Sequence, residues 1–324
     1  MKRNRWIALA LTLALGLTML AGCAGGEGKE TTLPTPTESQ TPEADGGTIR
    51  IATKPMTEQY ILGEMLAVLI EENTDLTVEI TKGIGGGTTN IHPALLKGDF
   101  DLYPEYTGTA WASVYKKDEI PTDDDALFAE LKDYYATLGL AWSDLYGFNN
   151  TFALAVRSEI ADQYQLETYS DLARVSDQIV FGANPDFFEK QDGYIALCDA
   201  YNMNFKDNRD IDIGLKYQAL AQKQVDVINA FTTDAQLAVA DVKVLKDDLH
   251  VFKNYYCGTV VRQATLDAHP ELMDVLNQMS GILTDQEMAK LNYELEVNGK
   301  DERELAVSFL QEKGLLPEDY HAAG

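Results

Sequence analysis

The chain has 324 residues, with 52 acidic against 26 basic side chains and a formal net charge of −26. A field of that sign repels a phosphate backbone and argues against a nucleic-acid partner, while it weakly favours the approach of cationic solutes. A hydrophobic content of 45% is that of a globular chain, and its length suffices for two lobes with separate cores.

In chain order, Lys2, Arg3 and Arg5 precede an uncharged apolar run over 6–21, which is too short and wrongly flanked for a membrane span. Residues 1–22 therefore read as a signal peptide. The run closes on Leu20-Ala21-Gly22-Cys23, which resembles the lipobox of bacterial lipoproteins. That resemblance implies a lipid on Cys23 and a chain anchored on the outer face of the bacterial cytoplasmic membrane. An ordinary secretory signal with a chance cysteine is the alternative. Residues 23–47 are Gly, Thr, Pro, Glu and Ser with almost nothing large and apolar, so burial cannot offset their ordering entropy. They read as a disordered tether spanning on the order of 25–30 Å.

From Thr48 the pattern alternates between strands and helices. A strand over 48–52 leads through Thr53-Lys54-Pro55-Met56 into a helix over 57–72, with Ile61, Met65, Val68 and Leu69 at helical spacing. A strand over 76–80 feeds the run Gly83-Ile84-Gly85-Gly86-Gly87-Thr88-Thr89. This run lacks the lysine of a phosphate loop and suits a turn that brings backbone and hydroxyls to a small ligand. A helix over 89–97, closed by Gly98, a strand over 100–103 and a helix over 124–138 follow. A strand starting at Phe152 marks the crossing into a second lobe. There the spacing predicts strands over 178–181, 211–213 and 225–228, with helices around Asp192-Gly193-Tyr194 and over 215–222. The C-terminal third is helical, with capping boxes at Thr284/Glu287 and Asp301/Glu304 and a stop at Gly314.

The stretch Asp101 to Thr109 has a distant echo in Asp226 to Asp234: an acid, a short apolar strand, then an aromatic followed by threonine. In open α/β sheets ligands sit beyond the carboxyl ends of strands. Two such lobes face to face would put Tyr106 and Phe231 on opposite walls of one cleft; the alternative is that both are core residues at strand ends. Cys198 and Cys257 could pair in an oxidising compartment, or remain two free, buried thiols. The histidines His92, His250, His269 and His321 have no metal-ligand spacing, and there is no HExxH, CxxC or G-x-S-x-G motif. Neither catalysis nor a cofactor is expected.

Five motifs in order, Tyr103-Pro104-Glu105-Tyr106-Thr107-Gly108-Thr109, Asn149-Asn150-Thr151-Phe152, Asp192-Gly193-Tyr194, Thr232-Thr233-Asp234 and Val260-Val261-Arg262, resemble the glycine betaine, carnitine and choline binding lipoproteins of osmoprotectant ABC transporters. The resemblance covers 48–316. It implies a type II periplasmic-binding-protein fold, with two α/β lobes (48–150 plus 255–324, and 151–254) joined by a two-segment hinge. It further implies a ligand in the cleft, delivery to a membrane permease, and a monomer.

By motif position the family's aromatic box falls on Tyr106, Phe152, Phe231 and Tyr255. A trimethylammonium group has no N–H to donate, so ring quadrupoles must hold it, at about 0.5–2 kcal/mol per contact. Several rings would reach micromolar affinity, which needs about 8 kcal/mol. Lys54, Lys190 and Thr109 fall where the family meets a ligand carboxylate, with Thr89 near the pocket by position. Two departures stand out. Phe152 and Phe231 replace the usual tyrosines, and Lys190 stands where carboxylate-gripping members usually carry arginine, a point charge in place of a fork. A choline-type binder with no carboxylate requirement is the alternative within the class, a ligand sensor on the same fold the alternative outside it. For Lys54 and Lys190 a solvated surface position is the other reading.

Overall fold

A computed structural model of the chain describes residues 47–119, 121, 123–189, 191–212 and 214–320. The expected signal peptide, Cys23, the tether as far as residue 46, and Lys190 lie outside the described residues. Ten strands are present: β1 (Thr48–Ala52), β2 (Thr77–Thr81), β3 (Leu102–Tyr106), β4 (Leu140–Trp142), β5 (Phe152–Arg157), β6 (Val180–Ala183), β7 (Asp207–Asp210), β8 (Val227–Phe231), β9 (Val242–Leu245) and β10 (Cys257–Arg262). They form two five-stranded sheets, β2-β1-β3-β10-β4 and β7-β6-β8-β5-β9. Each has three parallel strands followed by two more, with the fourth strand in the row antiparallel to its neighbours and supplied from the far side of a crossing. β3 and β8 hold the same place in the two sheets, so the echo between Asp101–Thr109 and Asp226–Asp234 is a repeat of topology. This is the type II binding-protein architecture.

The chain passes between the sheets twice, over 143–151 and 246–256. The two passages are stitched together. Asn149 bridges Tyr256, its Oδ1 accepts from Tyr255 N at 2.7 Å, and Thr151 Oγ1 donates to the Lys253 carbonyl at 2.5 Å. The motif Asn149-Asn150-Thr151-Phe152 is thus the meeting point of both crossings.

Helix α1 (Thr57–Asn73) is buried almost all round because the first sheet covers one side and the C-terminal helices the other. It contributes Ile61, Leu62, Met65, Leu66 and Leu69 to a core shared with Leu276, Met288 and Leu310. Helix α2 (Thr88–Lys97) starts at Gly87 and stops at Gly98, which takes the left-handed conformation at φ 85°. A separate core under the second sheet gathers Leu154, Phe181, Leu197 and Val227.

Several sequence expectations shift. β3 spans Leu102–Tyr106 rather than 100–103, because Pro104 reads as a breaker yet pairs here with Thr259 of β10. Its predecessor Asp101 instead anchors Arg50 through its carboxylate. The strand expected over 211–213 is displaced to Asp207–Asp210, an exposed edge strand with no apolar pattern to reveal it. Ile211 packs beyond that strand, where a Cβ on Gly182 would meet its Cδ1 at 2.7 Å. The three-residue β4 and the edge strand β9 were not anticipated. The Thr284/Glu287 capping box is complete. At Asp301 the side chain accepts from Arg303 N and Glu304 N. Cys257 is buried, Cys198 only partly so, and both thiols are free. Among the described residues no helix is long and apolar enough to cross a membrane.

Candidate ligand-binding site

A cavity of about 550 Å³ opens between the carboxyl end of β3 on one side and the end of β8 on the other. Seven of the eight expected contact residues line it: Lys54, Thr89, Tyr106, Thr109, Phe152, Phe231 and Tyr255. Lys190 lies outside the described residues.

The glycine turn places the floor. Gly86 and Gly87 adopt φ of 78° and 53°, and a Cβ on Gly86 would fall 2.5 Å from Asn90 Nδ2. Side chains are excluded there, so the backbone and the Thr88 and Thr89 side chains reach the cavity wall. Gly108 serves Tyr255 in the same way. A Cβ at 108 would lie 2.7 Å from the Tyr255 ring and 2.8 Å from the Asn254 carbonyl, so only glycine lets the ring lie on the strand end.

The second sheet supplies a different wall. Phe152 and Phe231 are direct cross-strand partners in β5 and β8, and their rings stack with centroids 4.9 Å apart and planes at 24°. That gap is too narrow to admit a cation between them, so the pair acts as one apolar wall rather than two sides of a box. Phe187 and Phe252 back Phe152 from behind.

Tyr106 is 4% exposed and belongs to the first sheet's core as well as to the cavity wall. Its phenol donates to Glu58 Oε1, and burial, with the Glu58 charge beside it, pushes its pKa well up. Lys54 is buried, which excludes the solvated reading for that residue. Its ammonium pairs with Glu105 and sits 4.5 Å from the Tyr106 ring centroid. Glu105, fully buried, also accepts from Thr88 Oγ1 at 2.5 Å, Tyr103 OH at 3.0 Å and Tyr106 N at 2.7 Å. The Lys54 charge is therefore already balanced in the cavity floor.

Glu58, Glu105 and Thr88 were missed from sequence. Each had a trace. Glu105 interrupts an apolar strand, and Glu58 shares a helix face with Ile61, Leu62 and Met65, where a charge is out of place. Ser113, also on the cavity wall, comes from a π-helical turn at Trp111–Tyr115, a distortion often found beside functional sites. No cluster of metal-ligating side chains occurs among the described residues.

Residues 47–312 match the model of a family described as the substrate-binding domain of an ABC-type glycine betaine transport system. The ergothioneine transport permease/ergothioneine binding protein EgtU of Helicobacter pylori is 43% identical over 82% of this chain. This chain spans about half of that relative, 47% of its length. The carnitine transport binding protein OpuCC of Listeria monocytogenes is 36% identical, with 82% of this chain and 86% of the relative aligned. The crystal structure of a glycine betaine/carnitine/choline ABC transporter superposes with a TM-score of 0.78 at 32% identity, covering 82% of this chain and 99% of the other. The chain belongs to the family of substrate-binding domains of ABC-type glycine betaine transport systems.

Proposed function

We propose that this protein captures a quaternary ammonium solute between its two sheets and delivers it to an ABC-type permease, with no chemistry done on the ligand. The supporting observation is the convergence of Tyr106 and Tyr255 with the stacked Phe152 and Phe231 on one cavity that Lys54 also lines, with Glu58 and Glu105 buried behind Tyr106 and Lys54. Rings from both sheets would contact one cation, so binding would favour a closed form hinged at the two crossings near Asn149 and Tyr255. Cys23 would carry the lipid that keeps the domain at the outer face of the membrane, close to its permease.

Within this class a choline-type ligand is the second reading, and one observation favours it: Lys54 is committed to Glu105 and so offers little net charge to a carboxylate. Hydroxyls of Thr89, Thr109 and Ser113 remain at the wall for a ligand tail. Ergothioneine, named for the Helicobacter relative, belongs in the same panel because it carries the same kind of cationic head.

Calorimetric titration of the purified chain with glycine betaine, carnitine, choline and ergothioneine tests the proposal. At least one should bind at micromolar concentration or below, with sugars and ordinary amino acids inert. Stabilisation by an amino acid or sugar, with none by any quaternary ammonium compound, overturns it. Mass spectrometry of the N-terminal peptide tests the anchor: an unmodified Cys23 would exclude it.

A further inference from the structure

We propose that Glu58 is the positioning residue of the cation site: it fixes the Tyr106 ring from behind, makes its face more negative, and ties it to the opposite sheet. The inference rests on the quaternary ammonium reading above and names the group that positions the Tyr106 ring behind the cavity wall.

Glu58 stands in the first turn of α1 and is 3% exposed. Its Oε1 accepts from the Tyr106 phenol and from Asn150 Nδ2 at 2.8 Å. Its Oε2 accepts from Thr233 Oγ1 at 2.8 Å and from Asn292 Nδ2 at 3.4 Å. These four donors come from β3, the first crossing, the turn after β8 and the helix Asp285–Glu296. All four are neutral, and no ion pair to Glu58 occurs among the described residues. The contrast with Glu105 is direct, since that carboxylate has Lys54.

Each oxygen of Glu58 accepts two hydrogen bonds, in a region of weak screening. Two consequences follow. A phenol that donates to a carboxylate gains electron density in its ring, and the ring face is what a trimethylammonium group contacts. Thr233, meanwhile, lies two residues beyond Phe231 on the second sheet, so one carboxylate holds the Tyr106 wall and the segment carrying the phenylalanine wall. Asn292 Nδ2 secures the same segment through the Thr233 carbonyl at 2.9 Å. The bound cation would then meet a Tyr106 ring that Glu58 holds in place and enriches.

The test compares choline with 3,3-dimethyl-1-butanol, which has the same shape without the charge. Glu58→Gln should lower the choline-to-alcohol affinity ratio about tenfold, since the electron density that Glu58 lends the ring is lost, the ring's own quadrupole stays and the shape term cancels. Tyr106→Phe keeps the ring, removes the phenol and should lower the ratio to a similar degree. The double variant should fall no further than either single one, because both break the same link. Tyr106→Phe carries the test if Glu58→Gln does not fold. A ratio unchanged in the variants, or effects that add in full, would overturn the role of Glu58 alone. A wild-type chain that binds neither compound nor any other quaternary ammonium overturns the box reading, and the role of Glu58 with it.

Discussion

The ends of β3 and β8 occupy the same place in two sheets of the same strand order, yet they present opposite chemistry to the cavity. Tyr106 is buried, hydrogen-bonded to Glu58 and flanked by the Lys54–Glu105 pair. Phe231 is 36% exposed, carries no hydroxyl and stacks on Phe152. The first wall is rigid and electrostatically wired; the second is an apolar plate. A repeated topology therefore fixes where a cavity-facing side chain sits, while the neighbours from other elements decide whether it presents charge or apolar surface.

Breaking the wired wall should do the most damage. Tyr106→Ala removes a core residue and a cavity ring together, so about 3–5 kcal/mol of stability should go. Some 1–3 kcal/mol of binding should be lost besides. Thermal melts of the empty variant beside a titration separate the two. A variant that melts like the wild type would show that Tyr106 is only a wall residue.

The ion pair in the floor comes next. Lys54→Met leaves Glu105 buried without its cation, a loss of about 3–5 kcal/mol for a broken buried pair. Pairing it with Glu105→Gln should restore much of that stability, which denaturant titration would detect. If Lys54 instead reads a ligand carboxylate, the single variant should weaken glycine betaine far more than choline. Equal losses for both ligands would leave carboxylate reading to the hydroxyls and to residues beyond the Lys54–Glu105 pair.

On the apolar wall the effect should be smaller and confined to binding. Phe231→Ala should cost about 1–2 kcal/mol of choline affinity. Its melting curve should stay close to wild type, since a half-exposed side chain leaves no closed void. A melting temperature that drops as far as in Tyr106→Ala would erase the distinction between the walls.

The thiols give the gentlest comparison. Burial raises the pKa of both, but Cys257 lies wholly inside the first sheet whereas Cys198 is partly exposed in the second half of the fold. A thiol reagent at neutral pH should modify Cys198 slowly and Cys257 only on unfolding. Equal rates at the two positions would contradict the buried placement of Cys257.

Much of the frame is written in local pattern. Helix α1, the glycine turn, the Gly98 stop and the Thr284 cap follow from apolar spacing and from local backbone chemistry, which act over a few residues and leave a visible trace. The repeat around Tyr106 and Phe231 was legible for the same reason, whereas the set of four rings came from the resemblance of the motifs. What the tertiary structure alone decided concerns partners that are distant in sequence. Glu58 meets Tyr106, Asn150, Thr233 and Asn292 across four segments, and no local pattern encodes that meeting. The stacking of Phe152 on Phe231 depends on the β5–β8 register, which is set by pairing across the sheet. Lys54 was placed at the cavity by motif, but its pairing with Glu105 depends on the packing of β3 beside the loop after β1. The edge strand Asp207–Asp210 was invisible because it buries nothing: its hydrogen bonds to β6 hold it, and backbone pairing leaves no mark on side-chain pattern.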